Sequence, residues 1–242
     1  MSTQTPATGG LLTKVTASPD EALQHIPDGV TVMIGGFGGA GTPVALREAL
    51  ARRRLTGLTL VANNADFGSF MYPGGLERLV CSYPVGASSK QVLEAVEAGT
   101  VELVLTPQGT LAESIRAGGA GLGGVLTPTG LDMDFGAQFR EIEHDGQRWL
   151  LAPARRAHVA LVKGAVADGY GNVVCRSAGI NFNPLMAMAA DYTVAQVDKV
   201  VPVGAIAPQD VTIPGLLVDA VVELPPVTSS HSPDEMRRRA RG

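Results

Sequence analysis

The sequence predicts an α/β layered protein, and three observations carry that expectation. Short β-branched and aliphatic runs alternate with segments of helical periodicity along most of the chain. Glycine-rich turns recur where an apolar run hands over to a helical pattern. Hydrophobic residues make up 45% and charged residues 17% of the 242, so a large core can be buried. The length allows one large or two small domains.

Residues 30–34 form a compact apolar run ending in glycines, which predicts a buried strand. Thr42 and Pro43 then offer an N-cap and a first-turn proline. Leu46, Ala49 and Leu50 make the apolar stripe of the following helix, and arginines fill its last turn. Residues 58–62 and 79–83 predict the next two strands. Ser88 and Gln91 have capping-box spacing ahead of Val92, Leu93 and Val96, with Gly99 as the stop. Residues 101–105 predict a strand, and Thr110 with Glu113 a second capping box opening a short helix. Residues 117–124, AGGAGLGG, predict a shaped loop. Residues 139–151 predict a hairpin turning at His144-Asp145-Gly146. Runs at 159–163, 173–175, 192–197 and 218–224 complete the strands, with a short helix at 184–190 among them. The domain is expected over residues 1–224; residues 225–242 are polar and proline-broken and predict a disordered tail.

Charge and cysteine usage exclude several classes. The net charge is −4, and basic residues cluster only at Arg52, Arg53 and Arg54 and at residues 237–242, which argues against a nucleic-acid partner. Cys81 and Cys175 have no ligand-like companions and read as reduced thiols. His25, His144, His158 and His231 lack metal-ligand spacing, so no metal is expected. The N-terminus lacks a signal-peptide pattern, and no apolar stretch approaches a membrane span. The expectation is a cytoplasmic protein with a small-molecule ligand.

Three constellations offer chemistry. Gly36, Gly38 and Gly41 satisfy G-x-G-x-x-G between a strand and a helix, where backbone N–H groups can hold an anion. A dinucleotide site also requires an acidic residue closing the next strand, and that strand ends in Asn63 and Asn64. A tight turn without a ligand is the plainer reading. Asn63-Asn64-Ala65-Asp66 places two amides at a strand's C-terminal end, where α/β sheets bind ligands, although asparagine is equally at home in turns. Thr106-Pro107-Gln108-Gly109-Thr110 leaves Gln108 at the sheet's mouth, able to donate to an oxyanion, with a solvated loop residue as the alternative. Glu113 is explained by its capping position and is declined as a nucleophile. Arg176, after a strand and before Asn181-Phe182-Asn183-Pro184, can pair with a carboxylate or phosphate, or form a structural ion pair.

Taken together and in order, GGFGGAGTP at 35–43, NNA at 63–65, TPQGTLAESIRAGGAG at 106–121, TPTG at 127–130 and NFNPLMAMAA at 181–190 resemble the A (alpha) chain of family I CoA-transferases. The enzymes acting on 3-oxoadipate and on other 3-oxo acids look nearest. The resemblance implies an open, mostly parallel sheet flanked by helices, of CoA-transferase type. It implies a B subunit carrying a nucleophilic glutamate, commonly in an A2B2 heterotetramer, and acyl-CoA and 3-oxo acid substrates. No cofactor beyond the CoA thioester itself is implied. By the same resemblance Gln108 matches a glutamine that stabilises the oxyanion and positions the reacting groups. Gly35, Gly36, Phe37, Gly38 and Gly41 match a loop lining the cleft, Asn64 matches an active-site asparagine, and Gly109 lets the backbone approach closely. The chain departs from the pattern at Asp66, Ser177, Ile180 and residues 131–134, which bears on the acid used rather than on the reaction. A hydrolase or lyase chain on the same fold, a non-catalytic binding module and a nicotinamide dehydrogenase are the rival readings.

Overall fold

The computed structural model describes residues 13–224; the expectations for the N-terminal segment and for residues 225–242 lie outside them. Strands β1 (Val15–Thr16), β2 (Thr31–Ile34), β3 (Leu58–Asn64), β4 (Leu76–Tyr83) and β5 (Glu102–Leu105) come first, with helices α1 (Pro19–Leu23), α2 (Val44–Arg52) and α3 (Ser89–Glu97) between them. Helix α4 (Gln108–Gly119) leads into β6 (Gly124–Thr127), β7 (Arg140–His144) and β8 (Gln147–Pro153). Strands β9 (Ala157–Asp168), β10 (Val173–Val174), β11 (Ala190–Val201) and β12 (Ala220–Glu223) follow, with α5 (Asn183–Met188) before β11.

The main sheet runs β1-β12-β11-β9-β2-β3-β4-β5, and β10 joins β9 from off that path. Each neighbouring pair along the path is parallel; the β9–β10 pair is antiparallel. This is the open, mostly parallel sheet expected. Alternation along the strands sorts the core into two layers. Val32, Ile34, Leu60 and Leu79 pack with Leu46 and Leu50 of α2 on one face. Met33, Val61 and Val80 pack with Leu111 and Ile115 of α4 and Met186 of α5 on the other. Each of the leucines removed wholly from water contributes roughly 1.5–3 kcal/mol. A three-stranded antiparallel sheet, β6-β8-β7, stands apart over a small core of Phe139, Leu150 and Ala152. Its hairpin turns at Asp145 (φ 51°) and Gly146 (φ 67°), the left-handed pair that a two-residue turn needs, as expected from the sequence.

The caps differ from expectation. Helix α2 begins at Val44 without a side-chain cap from Thr42 or Pro43. Gln196 of β11 fills that place: its Oε1 accepts from Ala45 N at 3.1 Å and Leu46 N at 3.4 Å. The Ser88–Gln91 capping box does not form. Ser88 Oγ instead donates to Asp66 Oδ1 at 2.6 Å and accepts from Gly68 N at 2.9 Å. Thr110 opens no helix; α4 starts two residues earlier behind Pro107, whose φ of −51° is already helical. Glu113 bonds Arg116 on the exposed face. The glycines of 117–124 are not all loop, since α4 runs through Gly119. They are small for packing: a Cβ on Gly118 would sit 2.0 Å from Arg155 O, and one on Gly119 2.7 Å from Met188 Cγ.

Candidate active site

The C-terminal edge of the parallel sheet gathers the glycine segment after β2, the asparagines ending β3 and the first turn of α4. That edge is where open α/β sheets bind ligands. Phe37 and Ala40 pair with each other, N to O at 3.0 and 2.9 Å, so the glycine segment is a small projecting hairpin. Gly38 (φ 54°) and Gly39 (φ 90°) turn its tip in the left-handed region.

Alternation puts the two asparagines of β3 on opposite faces. Asn63, buried, faces α4, and Gln108 Nε2 donates to its Oδ1 at 2.6 Å. Asn64 faces the hairpin, and its Oδ1 accepts from Asn63 Nδ2 at 2.7 Å and from Gly38 N at 3.2 Å. Asn64 Nδ2 in turn donates to Val85 O at 3.2 Å. Ser82 Oγ gives Asn63 Oδ1 a second donor at 2.7 Å. Backbone groups cannot be flipped, so Gly38 N–H and Val85 C=O fix which way the Asn64 amide points. Asn63 must then present its nitrogen to Asn64 and its oxygen to Gln108. Gln108 must present an N–H to Asn63, keeping its other N–H and its carbonyl for the mouth of the site. The chain of amides is thus polarised in one direction, and each bond strengthens the next.

A cleft of about 340 Å³ opens beside the chain of amides, bordered by Gly35, Gly36, Gly38, Asn64, Asp66 and Arg47. Asp66 Oδ2 lies 3.2 Å from Arg47 Nη1, and its Oδ1 accepts from Ser88 N at 2.9 Å as well as from Ser88 Oγ. Burial pushes the Asp66 carboxyl up, but the Ser88 bonds and the Arg47 charge outweigh it and hold the group below the ordinary carboxylate value. Arg47 keeps a buried Nε without a partner among the described residues. No group of three or more His, Cys, Asp and Glu side chains among the described residues can hold a metal.

Of the residues singled out from sequence, Gly35, Gly36, Gly38 and Asn64 border the cleft directly. Phe37 stands on the hairpin, 46% exposed, and Gly41 sits behind it against Gly179 and Asn183. Gln108 does not line the cleft; it joins the site through Asn63. A Cβ on Gly109 would meet nothing within 4 Å among the described residues. At the N-terminus of α2, Gln196 already occupies the N–H groups of Ala45 and Leu46. Ser82, Ser88 and Arg47 help build the site although the sequence does not mark them as site residues. Asn63, one of the two amides the sequence does mark, is the link to Gln108.

Asn183 is the brace behind the hairpin. Fully buried, it donates Nδ2 to Gly41 O at 3.0 Å and Gly179 O at 2.8 Å, and accepts from Lys163 N at 3.0 Å. A Cβ on Gly35 would stand 1.9 Å from Asn183 Oδ1, so glycine there is what admits the brace.

A glycine hairpin and a polarised amide chain thus stand side by side on the C-terminal edge of this sheet. The family model described as coenzyme A transferase matches residues 16–224, and the chain belongs to that family. It is 39% identical over 228 residues to the A-type chain of the 3-oxoadipate CoA-transferase of Acinetobacter baylyi, covering 92% of this chain and 100% of that one. It is 44% identical over 236 residues to the human mitochondrial succinyl-CoA:3-ketoacid coenzyme A transferase 2, covering 88% of this chain and 45% of that protein. Among solved structures, glutaconate coenzyme A-transferase from Acidaminococcus fermentans superposes with TM-score 0.80 at 21% identity, over 88% of this chain and 76% of that one. The acyl-CoA transferase of E. coli O157:H7 superposes with TM-score 0.79 at 21% identity, over 88% of this chain and 47% of that one. These two likenesses establish the fold. No helix among the described residues is long and apolar enough to cross a membrane.

Proposed function

We propose that this chain is the A-type half of an enzyme that moves CoA from an acyl-CoA, with succinyl-CoA favoured, to a 3-oxo acid, with 3-oxoadipate favoured. The nucleophile is a glutamate of a B subunit, in an A2B2 assembly in the cytoplasm, with no cofactor beyond the CoA thioester. One observation carries the division of labour. Among the described residues, Asp66 is the one carboxylate bordering the cleft, and Arg47 and Ser88 already hold it. Glu113 is engaged with Arg116 at the surface. On this reading the attacking carboxylate is supplied by a partner chain. The match along the whole of the A-type chain of a 3-oxoadipate CoA-transferase supports the division into subunits and the choice of acid.

The chemistry follows from the polarity of the amide chain. The partner's carboxylate adds to the thioester carbonyl, and negative charge collects on the carbonyl oxygen. Gln108, its amide orientation set by Asn63, offers its remaining N–H to that oxygen. The CoA thiolate leaves, an acyl–glutamyl anhydride remains, and the thiolate returns to the glutamyl carbonyl to release the first acid and leave a glutamyl-CoA thioester. The reverse sequence on the second acid passes the CoA on. Covalent exchange keeps the thioester energy from being lost to water.

The test is thioester exchange by this chain purified with and without its B partner. Activity is expected only from the pair, with the mass of CoA appearing on a glutamate of the partner during turnover. Full activity from this chain alone overturns the assignment. Release of CoA to water without transfer to an acid favours the hydrolase reading.

A further inference from the structure

The cleft lies on the β3 side of the glycine hairpin. On the other side, over β9 and β11, a second hollow of about 420 Å³ is bordered by Ala40, Gly41, Lys163, Arg176, Ser177 and Asp198. Two cations face it, and they are not equivalent. Lys163 Nζ is paired with Asp198 Oδ1. Arg176 is exposed, and its side chain makes no ion pair or hydrogen bond among the described residues. Its backbone is firmly set: Gly179 N donates to Arg176 O at 2.9 Å, and Ser177 at φ 49° turns the chain sharply after it. Asn181 Nδ2 donates to Ala40 O at 3.0 Å, tying the Arg176 turn to the hairpin.

The two flanks of the hairpin thus differ in charge. On one, Asp66 and Arg47 are paired with each other; on the other, beside the Lys163–Asp198 pair, stands a guanidinium without a counter-ion among the described residues. A planar guanidinium takes a carboxylate through two parallel hydrogen bonds, which a hydrated lysine does not match.

We propose that Arg176 is a specificity residue whose guanidinium, from the hollow beside Gly41, binds the carboxylate of a dicarboxylic acid that is remote from the reacting group. The proposal rests on the CoA-transfer reading and adds to it the side of the hairpin on which the acid's far end lies.

The experiment uses the assembled complex with Arg176→Met and Arg176→Lys. The donor is an acyl-CoA without a free carboxylate, and the acceptors are a dicarboxylic and a monocarboxylic 3-oxo acid of equal chain length. The ratio of kcat/KM for the dicarboxylic over the monocarboxylic acid is expected to fall about 10-fold or more in Arg176→Met, through KM, the loss of one charge-assisted pair. Partial recovery is expected in Arg176→Lys. An unchanged ratio overturns the proposal and leaves a solvated arginine. A raised KM for the acyl-CoA with the acid ratio unchanged also overturns it, by giving Arg176 to the CoA phosphates. A wild-type complex that transfers CoA to neither acid, from this donor or from succinyl-CoA, sinks the CoA-transfer reading itself, and this proposal with it.

Discussion

Gln108 Nε2 sits 2.6 Å from Asn63 Oδ1, joining the first turn of one helix to the end of a strand 45 positions earlier in the chain. Asn63 is turned by Asn64, and Asn64 by the backbone of Gly38 and Val85. The orientation of the Gln108 amide therefore depends on a hairpin more than 60 residues before it in the chain.

Gln108→Ala removes the end of that chain of amides. Turnover of the assembled complex is expected to fall on the order of 100-fold, mostly in kcat, as when one oxyanion donor is lost. Steady-state kinetics on the complex with its B partner is the check, and undiminished kcat takes Gln108 out of the site.

Replacing Asn183 by alanine strips partners from Lys163 N–H and from the carbonyls of Gly41 and Gly179. Each buried group left unmet costs about 1–3 kcal/mol, so a clear drop in the denaturation midpoint is expected. Gly35→Ala should also destabilise, because its Cβ would stand 1.9 Å from Asn183 Oδ1. The double variant should lose less than the two losses added together, since removing the Asn183 side chain makes room for the methyl. Simple additivity in a urea titration contradicts the contact.

Acidification tests Asp66. Its folded pKa lies below 3.8, so the folded state binds fewer protons than the unfolded state there. The carboxylate's stabilising effect is complete above that value and is lost as pH falls through the folded pKa. Asp66→Asn should flatten the acid limb of the stability profile, measured by urea midpoints from neutrality down to about pH 3. An acid limb identical to the parent's contradicts the Arg47 and Ser88 contacts.

Cys81, with none of its surface exposed, has its thiol pushed up from 9.0 to about 11 by burial. Iodoacetamide at mildly alkaline pH should leave it unmodified in the folded protein and label it after unfolding. Here the folded state holds the proton longer than the unfolded one, so stability falls as pH rises from 9.0 toward about 11. Rapid labelling of the native chain contradicts the burial.

Much of the fold was legible because periodicity and burial share one cause. The apolar runs at 30–34 and 58–62 are strands, since residues covered on both faces read as continuous hydrophobics. The Asp-Gly turn was legible because left-handed φ at two positions leaves few residue types. The start of α1 carries the same kind of signal, an N-cap that does form: Ser18 Oγ accepts from Glu21 N at 3.1 Å, and Glu21 Oε2 accepts from Ala17 N, one residue before the cap, at 2.8 Å. Ser88 has the right spacing to cap and does not, because its hydroxyl is engaged by Asp66, a partner that spacing does not reveal; Thr110 lies inside α4, which starts two residues earlier.

By itself, the sequence determined the layered α/β class, the glycine and amide segments that form the site, and the family to which they belong, since these follow from local periodicity and motif order. Only the tertiary structure decided that Gln196 caps α2, that Asn183 braces the hairpin, that Asn63 orients Gln108, and that Arg176 lacks a counter-ion among the described residues. The reason is physical: a hydrogen bond or ion pair is decided by distance in space, and parallel strands bring together residues whose separation along the chain carries no periodic signal.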